Sequence, residues 1–262
     1  MAKPMTSETL VIKLGGSVGS EDTLPEDVAE LQRQGKRIVL VHGGGPQITH
    51  WLARIGKETR FVDGLRYTDA ETLEIVRMVL AGLVNGEVTA RLVAAGTRAV
   101  GLSGSDDHLL VATVRDERFG LVGEVTEVNP RPINALLDAG YVAVIAPLAV
   151  TGGGEFLNVN ADTAAGEIAV ALGHTRLVFL TDVDGIADGT RNIRRLDPLA
   201  ARQLIADGVI TGGMIPKVEA CLRALSHTPE AQIVDGRRPH VLLEALAHPG
   251  QVGTTVTSPT RD

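Results

Sequence analysis

The sequence is short of several things, and each shortage excludes something. It holds one cysteine, Cys221, so no internal disulfide can form, and no Cys/His spacing suited to a metal appears. Aromatic residues are 3% of the chain, too few for a surface that stacks on bases. Positive charge is in deficit: the net charge is −7, which argues against general binding to nucleic acid or to an anionic membrane. The longest apolar run, Val142 to Val150, contains Pro147 and is too short to span a bilayer. Met1 to Thr9 has no charged segment followed by an apolar stretch, so a signal peptide is not expected and a cytoplasmic location is. Neither Gly-x-x-x-x-Gly-Lys-Ser/Thr nor a helix-opening Gly-x-Gly-x-x-Gly occurs, which removes the two common nucleotide fingerprints.

What remains is ordinary in bulk, with 262 residues, 44% hydrophobic and 22% charged, enough for one large α/β body. Strands are expected at about 9–14, 37–42, 98–102, 141–146, 175–181 and 231–235. Helices are expected at about 24–34, 46–56, 69–83, 86–95, 131–139, 161–172, 198–207 and 214–226. Thr68-Asp69-Ala70-Glu71 reads as a capping box at the head of the third helix. The alternation predicts a three-layer αβα sandwich with a mostly parallel central sheet. Two interruptions, 58–68 and 108–128, break the rhythm. The second resembles a hairpin, and both are candidate lids. No linker divides the chain, so residues 1–262 form one domain, with an earlier lobe to about 173 and a later lobe over 174–262.

Lysine is scarce. Lys3, Lys13, Lys36, Lys57 and Lys217 stand against twenty arginines. Lys13 closes an apolar strand just before Gly15 and Gly16, and the second strand breaks likewise into Gly43-Gly44-Gly45-Pro46. An ammonium in a buried strand is costly unless it faces a ligand or a carboxylate. Glycines let the backbone approach a ligand, and successive N–H groups make an anion nest. Two neighbouring strands ending this way are expected to present bare N–H groups to a phosphate. Lys217 follows Gly212 and Gly213 in the first turn of a helix, where acids are the norm, and so suggests an anion nearby. Arg66 follows Gly64 in the first interruption, as a surface charge or as a fork for a carboxylate. Asn158-Val159-Asn160-Ala161-Asp162 lies at a strand–helix junction, where Asn160 either caps the helix or joins a ligand site. His42 reads as structural rather than as a base. A rival is offered by Gly15-Gly16-Ser17-Val18-Gly19, which fits a hydrolase elbow with Asp235 and His240 in order. The first strand, however, has no earlier strand to supply an oxyanion hole.

These segments resemble the amino-acid kinase family. The likeness runs nearly end to end, through Lys13-Leu14-Gly15-Gly16, Val41 to Gln47, Phe61 to Arg66, Asn158 to Asp162, Thr181 to Ile186 and Gly212 to Val218. The resemblance implies the fold of that family and ATP-dependent phosphorylation of the side-chain carboxylate of N-acetyl-L-glutamate, in arginine biosynthesis. Lys13 and Lys217 would contact the transferring phosphoryl, with Asp162 holding both. Gly44, Gly45, Arg66, Asn158 and Asn160 would bind the amino-acid substrate. Gly15 and Gly16 would face phosphate. Thr181, Asp182, Val183, Asp184, Gly185, Ile186, Val209, Ile210 and Thr211 would line the nucleotide. Mg²⁺ would be held mainly by nucleotide phosphates. Two alternatives stay open: a kinase for aminoadipate or glutamate on a carrier protein, and a binder without catalysis. Relatives often carry Gly-Lys-Asp-Gly where this chain has Gly104-Ser105-Asp106-Asp107, which leaves that loop's contact open. Only a short segment precedes the first strand, so a homodimer without the arginine-sensitive N-terminal helix is expected.

Overall fold

A computed structural model of the chain describes residues 8–15, 23–189 and 191–257. Gly16 and Ser17 lie outside the described residues. The order begins β1 (Thr9–Leu14), α1 (Leu24–Arg33), β2 (Arg37–His42), α2 (Gly45–Arg54), then a small hairpin of β3 (Phe61–Val62) and β4 (Leu65–Arg66). Next come α3 (Ala70–Arg77), a π-helical stretch over Met78–Val84, α4 (Asn85–Ala94) and β5 (Ala99–Ser103). The interruption at 108–128 is the antiparallel hairpin that its alternation predicts, β6 (Leu110–Val114) with β7 (Gly123–Val128). There follow α5 (Arg131–Asp138), β8 (Val142–Ala146), β9 (Leu148–Val150), β10 (Phe156–Asn158), α6 (Ala161–Leu172) and β11 (Thr175–Thr181). The chain closes with β12 (Ile186–Asp188), β13 (Arg191–Ile193), β14 (Arg195–Leu196), α7 (Pro198–Ala206), α8 (Met214–Ala224), β15 (Glu230–Asp235), α9 (Val241–Ala247) and β16 (Thr254–Thr257).

Eight strands form the central sheet in the order β14-β16-β15-β11-β1-β2-β8-β5, parallel throughout except where β16 runs against β15. Strand periodicity splits the apolar residues between its two faces. Val11, Val39, Val41, Ile145, Leu177 and Phe179 pack with α5, α6 and α8. Leu10, Ile12, Ile38, Leu40, Val144 and Val178 pack with α1, α4 and α9. Parity therefore assigns every strand residue to one of two layers. Lys13 shares its face with Val11 and opposes Val41, whereas His42 opposes Leu14 and belongs to the other face.

Two local expectations change. The helices expected at 69–83 and 86–95 are one continuous rod, because Gly82 and Gly86 are absorbed within helical turns rather than ending them. The π-helical stretch within the rod sets Leu80 against Gly44, where a Cβ would lie 2.5 Å from Leu80 Cδ2, and brings Asn85 under the strand ends. The capping box also fails. Asp69 is the cap, accepting from Thr72 N at 2.8 Å, while the Thr68 hydroxyl is turned to the Arg66 carbonyl. Short strands missed by pattern, β9, β10 and β16 among them, have three or four residues, too few to show a period.

Candidate active site

Lys13 projects from β1 toward the N-terminus of α6, where Asp162 sits in the first helical turn. Its ammonium is 2.7 Å from Asp162 Oδ1, and Lys217 Nζ, from α8, is 2.9 Å from Asp162 Oδ2. Lys217 also donates to the Gly213 carbonyl at 3.1 Å. The anion implied by a lysine in that turn is thus in part Asp162 itself. All three side chains are largely buried. Burial alone would raise the Asp162 pKa, but the two ammonium groups outweigh it and hold the carboxyl below its usual range. Burial, with help from Lys217, lowers Lys13 against the pull of Asp162. Two cations on one carboxylate leave a net positive charge in a low-dielectric setting, which suits a further anion.

Beside this cluster lies a cavity of about 750 Å³, lined among others by Gly44, Gly45, Arg66, Leu80, Asn158 and Asn160. Arg66 is 8% exposed, and its guanidinium donates to Gly45 O and Thr49 Oγ1 at 2.9 Å and to Thr59 Oγ1 at 3.2 Å. Every one of those acceptors is neutral, and among the described residues no carboxylate pairs with it. Burial lowers its pKa with nothing opposing. A buried cation without a counter-charge is held at a cost unless a ligand supplies the anion. Asn160 performs its structural task, accepting from Asp162 N at 2.8 Å and Thr163 N at 3.2 Å as the cap of α6, and it lines the cavity as well. The helix N-terminus adds its own positive end.

The glycine nest needs correction. Gly15 N donates to Leu180 O at 2.8 Å and Gly43 N to Leu14 O at 3.1 Å, so the first N–H after each strand continues the sheet instead of facing a phosphate. Gly15 is glycine because a Cβ would meet Leu180 O at 2.7 Å. The N–H groups of Gly44 and Gly45 have no partner among the described residues and open onto the cavity at the head of α2.

Across the sheet, His42 is sealed between its own loop and α4. Asn85 Nδ2 donates to His42 Nε2 at 3.1 Å, so Nδ1 carries the proton given to Gly43 O at 2.7 Å. Desolvation lowers its pKa to about 4. A neutral histidine on the face opposite Lys13 is structural, as its sequence setting suggests. The hydrolase arrangement is not assembled: Asp235 holds Arg237, and His240 Nδ1 lies 2.7 Å from Asp27 Oδ1.

Of the nucleotide candidates, Thr181 to Ile186 run from the end of β11 into β12, and Val209 to Thr211 lie between α7 and α8. Thr181 ends β11; Asp184 Oδ2 accepts from Asn192 at 2.8 Å, while its Oδ1 is buried without a donor. The Ile186 and Ile210 side chains belong to the core, and Ile186 N already donates to Thr254 Oγ1 at 2.8 Å. Asp182, Val183 and Gly185 form the loop between them; Val209 is half-buried and Thr211 exposed just before α8. Sequence reasoning gives Thr68 only a capping role and Asn85 none, yet both are buried polar side chains that bridge distant segments. A Thr or Asn inside an otherwise helical or turn pattern gives no signal of such reach.

Ligands of open parallel sheets bind beyond the carboxyl ends of the strands, where both clusters lie, and this marks an α/β protein with a positively charged ligand site. The chain belongs to the amino acid kinase family, whose family model matches residues 8–235. It is 45% identical over 258 residues to the acetylglutamate kinase of Synechococcus sp., covering 95% of this chain and 86% of that one. To the acetylglutamate kinase of Parasynechococcus marenigrum it is 48% identical, over 94% of this chain and 88% of that one. Among solved structures, smu.665 from Streptococcus mutans superposes with a TM-score of 0.84 at 28% identity, covering 96% and 99% of the two chains.

Proposed function

We infer that this chain transfers the γ-phosphoryl of ATP to the side-chain carboxylate of N-acetyl-L-glutamate, a step of arginine biosynthesis. The near full-length likeness to acetylglutamate kinases supports this. The observation that carries it is Arg66, a buried guanidinium without a counter-charge, facing a cavity whose other wall is one residue from Asp162. A substrate with two carboxylates fits: one neutralises Arg66, the other reaches the lysine cluster.

The acceptor carboxylate, with a reference pKa near ~4.3, is already ionised at neutral pH and needs no base. The barrier is repulsion between anions, and fixed positive groups lower it. Lys13 and Lys217 take the charge of the phosphoryl in transit, while Asp162 holds the two ammonium groups apart from each other. Gly44 and Gly45 offer N–H groups to the acceptor or to the phosphoryl. Asn158 and Asn160 bind the rest of the amino acid. The nucleotide occupies the later lobe, 174–262, against 181–186 and 209–211, with Ile186 and Ile210 contributing backbone only. Mg²⁺ would be held mainly by the nucleotide phosphates and would spread their charge. The undonated, buried Oδ1 of Asp184 is a group on that side suited to a cation's hydration shell. The β3–β4 hairpin and Val122, just before β7, wall the cavity and keep water from an acyl phosphate. We assign a homodimer through the edge strand β5, whose outer backbone is unpaired in the sheet and against which α4 packs with Val93 52% exposed.

A coupled assay of ADP release tests the reading with N-acetyl-L-glutamate, glutamate and α-aminoadipate. Turnover with the first alone is expected; none with it overturns the assignment. Sedimentation of the same preparation at twice the chain mass is expected for the dimer, and a monomer refutes it.

A further inference from the structure

One fully buried hydroxyl ties the two amino-acid-binding candidates together. Thr68, 0% exposed, has its Oγ1 2.9 Å from Arg66 O and 3.0 Å from Asn158 Nδ2. A carbonyl carries no proton, so the hydroxyl donates to Arg66 O. Having spent its one proton there, Oγ1 can only accept, and the edge of the Asn158 amide that faces it must be the NH₂. The amide oxygen then lies on the other side. Asn158 lines the cavity, and its Oδ1 has no protein donor among the described residues and is not sealed from solvent. Backbone bonds hold the pair in register: Leu121 N donates to Thr68 O at 2.6 Å, and Asn158 N to Leu121 O at 3.0 Å.

We infer that Thr68 is a positioning residue that fixes the Asn158 amide with its oxygen toward the substrate, so that the site selects a ligand presenting an N–H. The inference rests on the function proposed above. N-acetyl-L-glutamate offers its acetamido N–H to that oxygen. Its ester isostere, 2-acetoxyglutarate, sets a lone pair against a lone pair. A site whose polar group is left unpaired by an analogue rejects it far more strongly than shape alone would.

The test compares kcat/KM for the amide and the ester in the wild type, Thr68→Val and Thr68→Ser. The wild type is expected to favour the amide by at least about tenfold. Thr68→Val keeps the side-chain shape but frees the Asn158 amide to turn over. It should bring the ratio toward parity, raise KM for the amide about tenfold (~1.4 kcal/mol) and leave KM for ATP within about twofold. Thr68→Ser restores the hydroxyl and should restore the ratio. A purely structural role would weaken amide and ester alike. An unchanged ratio in Thr68→Val, or a wild type indifferent to the ester, overturns the inference, and the second result needs no variant to fold. Failure of the wild type to phosphorylate N-acetyl-L-glutamate would instead strike the proposed function.

Discussion

The molecule buries positive charge in two neighbouring places and treats it differently. At the ends of β1, α6 and α8, Lys13 and Lys217 share Asp162, so one of the two positive charges is answered within the protein. At the β3–β4 hairpin, Arg66 meets a carbonyl, two hydroxyls and the face of the Phe61 ring, none of them an anion. The first cluster is part of what holds the layers together, and each of its lysines has an anionic partner without ligand. The second is incomplete until an anion arrives. One side is built to persist through a turnover, and the other to gain its counter-charge at each one.

Removing Asp162 should break the first cluster most severely. Asp162→Ala leaves two ammonium groups buried and unanswered, and breaking such a pair typically costs ~3–5 kcal/mol. Denaturant unfolding should show a loss of that order, together with loss of turnover. Stability within about 1 kcal/mol of the wild type would show that the lysines do not depend on the carboxylate.

A third buried cationic candidate, His42, avoids the problem by staying neutral, and pH separates it from the other two. Its folded pKa, about 4, lies below the ordinary 6.5. Above pH 6.5 neither state is charged and the stability is complete. As pH falls from 6.5 toward 4 the unfolded chain takes up a proton that the folded one refuses, so stability is lost, by up to about 3 kcal/mol. His42→Asn should lack this component. Equal slopes for the two proteins across that window would remove the buried neutral histidine from the account. Asp162 is depressed instead and loses its contribution only below its ordinary value near 3.8, outside the same window.

How far these sites are legible in the sequence follows from the range of the interactions. Lys13 and Lys217 stand out because a lysine in a buried strand or a helix's first turn contradicts a local preference. Their meeting at Asp162 is not local, and the family resemblance supplied it. Parity along β2 is readable, yet which face holds the phosphoryl site depends on where α6 and α4 pack. The Gly15 N–H is illegible for the same reason: whether it is bare depends on β11, some 165 residues later, lying beside β1. Thr68 reads as a helix cap because its neighbours allow one. Its hydroxyl serves Arg66 and Asn158, and the latter is ninety residues away.

The comparison is sharpest at Arg66 itself. Arg66→Met keeps the length and apolar stem of the side chain and removes an unanswered charge. Losing charged hydrogen bonds to the substrate should raise KM for N-acetyl-L-glutamate about thirtyfold, or ~2 kcal/mol. Losing a buried cation that nothing neutralises relieves desolvation, which offsets the three bonds lost to neutral acceptors. Unfolding stability should therefore change by less than about 1 kcal/mol, in contrast to Asp162→Ala. KM for ATP should stay as it was, since no candidate nucleotide residue touches the guanidinium. Should Arg66→Met unfold as readily as Asp162→Ala, Arg66 belongs with the self-contained cluster, and the substrate anion is not what completes it.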